Sequence, residues 1–163
     1  MEDTERLIRI DENVSQIKDF VSEHRAHQNA TITLGTGATV IMQYQVVDFD
    51  THSGITTGAA WKYTAPDTGY YRVTSQIFIS GAQPSVSTYN KAMLYKNGAR
   101  VFDIYYDNIS VSYAASVHVV RSGTAIVQLN KNEYIDVRAY QTMNASLTTD
   151  GDVDTYIEVE RIR

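Results

Sequence analysis

Five apolar residues near the N-terminus, Leu7, Ile10, Val14, Ile17 and Val21, fall at alternating spacings of three and four. This is a heptad seam, with Leu7, Val14 and Val21 at a and Ile10 and Ile17 at d. The stripe is narrower than the apolar face of a helix packed on a globular core. It buries itself against copies of the same helix, and β-branched d residues pack better in a parallel trimer than in a dimer. The spacing therefore predicts a trimeric α-helical coiled-coil stalk over residues 1–28. Thr4 is its N-cap, and Glu2, Asp3 and Glu5 complement the helix dipole. His24 and Gln28 continue the frame at d and a. Three His24 side chains meeting on the axis would offer a metal or anion site; a polar layer where the coil loosens is the simpler expectation.

After residue 28 the heptad pattern stops. Residues 29–39, rich in Thr, Ala and Gly, read as a connector. From Val40 the apolar period becomes two, or short apolar runs between turn residues. Strands are expected over 40–49, 60–63, 70–80, 91–96, 100–106, 110–121, 124–129, 134–142 and 155–162. Turns are expected at Pro66-Asp67-Thr68-Gly69, Lys96-Asn97-Gly98, Ser122-Gly123 and Asp150-Gly151. Asn97-Gly98 between two hydrophobic runs is a type I′ hairpin signal. Closely spaced short strands of this kind predict a β-sandwich over residues 40–163. The chain has no cysteine, so disulfides and thiolate metal sites are excluded. A net charge of −5 argues against nucleic acid as a partner, because phosphate neutralisation needs clustered Lys and Arg. The acidic N-terminus carries neither a signal peptide nor an apolar run able to insert in a membrane.

Several segments of the sandwich resemble the globular head of complement component 1q and its tumour-necrosis-factor-like relatives. The stretches are Val47-Asp48-Phe49-Asp50, Trp61-Lys62-Tyr63-Thr64-Ala65-Pro66, Asp67-Thr68-Gly69-Tyr70-Tyr71-Arg72-Val73, Leu94-Tyr95-Lys96-Asn97-Gly98, the segment 127–137, and Tyr156-Ile157-Glu158-Val159. The aromatic–Thr–Ala–Pro and Gly–Tyr–Tyr blocks are the most specific. The chain departs from the family at Asn132-Glu133, where Gly-Asp is usual, and at Tyr156-Ile157-Glu158, where an aromatic–x–Gly pattern is usual. A short coiled coil stands where complement proteins carry a collagen-like stalk, and that combination resembles bacteriophage fibre and head-decoration proteins. The resemblance implies an all-β jelly roll of about ten strands, a homotrimer about a threefold axis, and a binding role without catalysis or cofactor.

Trp61, Tyr63, Tyr71 and Phe78 fall in the blocks that match best and read as framework. Tyr105, Tyr106, Asp107 and Asn108 combine aromatic faces with amide and carboxylate groups and are the candidate ligand-binding residues for a host-surface glycan, although rings of this kind suit the inside of a trimer interface better still. Asp150, Asp152 and Asp154 alternate as the start of a calcium loop does, but the pattern then fails, with Thr155 where Gly is needed and Arg161 where Glu is needed. An acidic surface turn is the expectation there. No catalytic grouping has sequence support. The sequence thus points to a trimeric virion fibre or attachment protein, made in the host cytoplasm. It would dock on a capsid or tail protein through its N-terminal region and expose its head on the virion surface. A purely structural capsid decoration protein and an exported bacterial lectin-like module are the alternatives.

Overall fold

The computed structural model describes residues 23–143 and 146–162. The seam residues Leu7, Ile10, Val14, Ile17 and Val21 lie outside them. No described residue is helical. Thirteen strands follow one another: β1 Glu23–His27, β2 Thr33–Gly35, β3 Thr39–Ile41, β4 Val46–Asp50, β5 Ile55–Thr56, β6 Lys62–Thr64, β7 Gly69–Ala82, β8 Tyr89–Lys96, β9 Ala99–Asn108, β10 Val117–Leu129, β11 Tyr134–Gln141, β12 Ser146–Thr149 and β13 Tyr156–Arg161.

They form two antiparallel sheets. The first runs β4-β1-β13-β7-β10, with β12 beside the far end of β7 and β2 outside β12. The second runs β5-β6-β11-β8-β9, with β3 beside β11. The long strand β7 organises the first sheet. Its inward residues Tyr71, Val73, Ser75, Ile77 and Ile79 alternate with outward ones, as period two requires. They meet Leu94, Ile135 and Val137 of the second sheet in one apolar core. Tyr44 and Trp61 pack edge to face at 4.9 Å within it, and the Tyr44 hydroxyl is satisfied by Ser75 Oγ at 3.0 Å. Trp61, Tyr63 and Tyr71 are buried framework residues. Phe78 is not a core residue: it points outward from β7 and its ring lies 5.1 Å from that of His118.

Several expected boundaries are corrected. Residues 23–27 are strand β1, not the end of the coil. His24 and Ala26 face inward there, and a strand whose inward residues are a histidine and an alanine carries no apolar signature. The supposed connector 29–39 contains β2, and the expected strand 40–49 is two short strands. Residues 110–116 are not a strand. Ser122-Gly123 is not a turn but the middle of β10, opposite Gln76 and Ser75. The glycine is needed for another reason: a Cβ on Gly123 would sit 2.1 Å from the Ile104 carbonyl oxygen of β9. The last strands of the two sheets approach so closely there that no side chain fits. The Asn97-Gly98 turn has φ of 49° and 80°, as a type I′ hairpin demands.

Candidate ligand-binding site

Alternation along β8, β9 and β11 decides which side chains leave the core of the second sheet. Strand β8 turns Tyr89 and Lys91 outward, and β11 turns Arg138 and Tyr140 outward. The register sets Lys91 between Tyr140 on one side and Tyr106 on the other, with Tyr89 opposite Asn108. Three rings therefore gather on one face. Tyr89 stacks on Tyr140 with centroids 5.6 Å apart and planes 18° apart, and Tyr106 lies 5.4 Å from Tyr89. The Lys91 ammonium sits 4.9 Å from the Tyr140 centroid and 5.7 Å from that of Tyr89. A hydrogen bond between Tyr89 and Tyr140 heads the causes that raise the Tyr140 hydroxyl above its ordinary pKa. Tyr106 is 55% exposed. The result is an aromatic platform with a cation and an amide at its rim. Such a surface can stack on the C–H face of a sugar ring and hydrogen-bond its hydroxyls.

The platform continues along β11. Arg138 lies flat over Tyr95, its Cζ 3.8 Å from the ring centroid. Its Nε and Nη2 donate to the two carboxylate oxygens of Asp136 at 2.6 and 3.2 Å. That fork raises the guanidinium pKa further and fixes its orientation.

The four candidates in sequence order are split by the pleat. Tyr106 and Asn108 reach the platform. Tyr105 turns the other way, packs against the core, and its hydroxyl pKa is pushed up by burial. Asp107 pairs with Arg121 of β10 at 2.7 Å. All four lie on strand β9 rather than in a loop, so they do not form one binding group. Tyr89, Lys91 and Tyr140 were missed by sequence reasoning. Their signal was tyrosine alternating with polar residues in β8 and β11, which becomes a site only once the register is known.

His24 is committed inside the head, which corrects the idea of an axial histidine layer. Its Nδ1 contacts Asp50 and its Nε2 lies 3.1 Å from the Tyr63 hydroxyl. Burial lowers the imidazole pKa, and the neighbouring Asp50 offsets this only in part. Asp50 would itself be raised by burial, but the Ile55 and Gly54 amides, at 2.9 and 3.0 Å, and His24 outweigh that and lower it. Because His24 and Tyr63 are both buried, the chain of groups is structural. His27 pairs at 2.9 Å with Asp48.

Asp150, Asp152 and Asp154 do not converge. Asp152 accepts from the Val153 amide at 2.7 Å, and the Asp154 carbonyl from Gln76 at 2.9 Å. No three His, Cys, Asp or Glu side chains among the described residues are placed to hold a metal.

The outward face of the first sheet differs in character. It carries the pairs Arg25–Glu158 at 2.5 Å and Arg72–Glu160, a Thr74–Thr124 hydrogen bond, and exposed apolar residues including Ile126, Val120 and Tyr70.

No protein-family model matches the chain, and no curated protein matches its sequence. Solved structures do share its fold. An Eiger tumour necrosis factor from S. frugiperda superposes with a TM-score of 0.64 at 13% identity, over 88% of this chain and 93% of that one. Murine APRIL gives 0.60 at 13% identity, over 87% and 99%. The globular domain of zebrafish complement 1qA gives 0.59 at 14% identity, over 87% and 98%. At such identities the likeness speaks for the fold alone. The chain carries a jelly-roll head of the complement-1q and tumour-necrosis-factor type.

Proposed function

We propose that this chain is a non-enzymatic, homotrimeric recognition protein of a virion fibre, whose head holds a host-surface saccharide on the tyrosine platform. The observation that carries the reading is the platform itself. Tyr89, Tyr106 and Tyr140 gather outside the core, with Tyr106 exposed and Tyr89 and Tyr140 half-buried. Trimerisation is supported by the Ile10 and Ile17 layer and by apolar side chains left exposed on the first sheet, of which Ile126 is 53% accessible. Three platforms on one axis raise the effective concentration of weak single sites and turn them into useful avidity. The virion assignment rests on the short coil taking the place of a collagen-like stalk, and the N-terminal region would dock on a capsid or tail protein.

A glycan array probed with labelled protein tests the reading. Wild type should bind a subset of saccharides, and Tyr106→Ala should lose about fivefold or more of that binding, since stacking of this kind is worth about 1 kcal/mol per ring. Its melting temperature should stay unchanged, because Tyr106 is exposed. No binding by wild type to any saccharide would leave plain capsid decoration as the better account. Mass spectrometry of purified particles checks the location separately.

A further inference from the structure

A second concavity lies on the same outward face as the platform, between β6 and β11. Its volume is about 340 Å³, and Trp61, Lys62, Tyr134, Asp136 and Arg138 line it. That is near the lower end of the range for small-molecule sites, roughly 300–1,000 Å³, and suits one sugar-sized unit.

The polar groups in this cavity are unbalanced. Trp61 forms part of its wall from the core side, and its indole N–H is buried with no acceptor among the described residues. Lys62 faces the Tyr134 ring at 5.2 Å, and its ammonium makes no ion pair or hydrogen bond among the described residues. Arg138 gives Nε and Nη2 to Asp136 and keeps Nη1 free of a protein acceptor. The one carboxylate in the cavity is thus already matched by one guanidinium, and Lys62 sets the sign of what remains. A cavity whose ammonium and guanidinium keep donors without a protein acceptor is completed by a ligand that supplies acceptor oxygens and negative charge.

The cavity and the platform are joined by β11. Tyr134, Asp136 and Arg138 line the first, and Tyr140, two residues beyond Arg138 on the same face, belongs to the second. Two residues of strand span about 7 Å, so one short oligosaccharide can reach both.

We propose that this cavity is a subsite for an anionic sugar unit, carboxylated or sulfated, whose acid oxygens accept from Lys62 and Arg138. The proposal rests on the platform reading and adds the charge of the ligand to it. It makes the head selective for acidic saccharides over neutral ones of the same shape.

Trp61 is the only tryptophan of the chain and forms part of the cavity wall, so the emission comes from one side chain next to the proposed subsite. The full-length protein is titrated with methyl β-D-glucuronide, with the 6-sulfate of methyl β-D-glucoside, and with methyl β-D-glucoside itself. At least one acidic probe should change the emission saturably while the neutral glucoside does not, and added salt should weaken the response. Which acid responds identifies the acidic group. Lys62→Ala should weaken the response at least tenfold with an unchanged unfolding midpoint, and Lys62→Arg should keep most of it. An equal response to the neutral glucoside, an unaltered Lys62→Ala, or no response to either acid overturns the subsite. On the glycan array, loss of binding in Tyr106→Ala with no preference for acidic sugars removes the subsite and leaves the platform standing. Absence of all saccharide binding removes both.

Discussion

At the residue scale the most consequential side chain is His24, a titratable group held neutral inside the head. A free histidine takes up its proton near pH 6.5, and His24 is lowered from that value by its burial. As pH falls below 6.5 the unfolded chain binds the proton before the folded one does, so stability declines with falling pH. Above 6.5 neither state carries it and stability is flat. Asp50, held below its ordinary 3.8, adds a loss only at lower pH still. The melting temperature is thus expected to be level from pH 8 to 7 and to drop from about pH 6.5 downward. His24→Asn should start lower at pH 7.5, having lost its place between Asp50 and Tyr63, and should show a flatter slope between pH 7 and 5.5. An equal slope in wild type and variant would take His24 out of the account. None of this was readable from the sequence. His24 occupies a heptad d position as regularly as Ile10 and Ile17 do, and only the pairing with Asp50, 26 residues away, shows that His24 itself belongs to the sandwich.

Elements were legible where their inward residues are large and apolar. Strand β7 was found almost whole because Tyr71, Val73, Ile77 and Ile79 mark alternate positions. Strand β1 was lost because its inward residues are His24 and Ala26, and β2 and β12 because three or four residues carry too little pattern. Strand β10 was cut in two at Ser122-Gly123, where a true turn signal and a close-approach glycine look alike in one dimension. The distinction is testable. Gly123→Ala places a methyl group against the backbone of Ile104, so β9 and β10 must part. The unfolding free energy should fall by about 1–3 kcal/mol, while Ser122→Ala beside it, exposed, should stay within about 0.5 kcal/mol. Denaturant titration of both variants reads the difference, and a Gly123→Ala head as stable as wild type would mean the strands do not meet there. The platform followed the same rule as β1 and β10. Tyr106 and Asn108 were named from composition, but their partners Tyr89, Lys91 and Tyr140 come from two other strands, and only the register gathers them.

For the whole molecule, the question is assembly. The first sheet offers apolar side chains and ion pairs, and the second offers rings and unmatched donors. Under the proposed function this division would give each face a separate role, the first sheet for contact with copies of the chain and the second for the ligand. Light scattering of the full chain should report three copies at micromolar concentration. Ile126→Glu on the first sheet should shift that mass toward one copy, since three like charges would be placed in the contact. The same variant should lower binding to a saccharide surface through lost avidity while leaving the emission titration of Trp61 unchanged. A variant that stays trimeric would place the contact elsewhere on the head.

The position of β1 has a mechanical meaning. The segment ahead of Glu23 joins the head through a strand that lies between β13 and β4 and is laddered to both. A tether attached at a sheet edge peels one ladder bond by bond under load, whereas a tether entering between two strands cannot leave without opening a ladder on each side. Tension applied ahead of Glu23 is therefore shared between β4 and β13, and through β13 it reaches β7, the strand that spans the core. A domain tethered this way resists being pulled apart through its N-terminal segment.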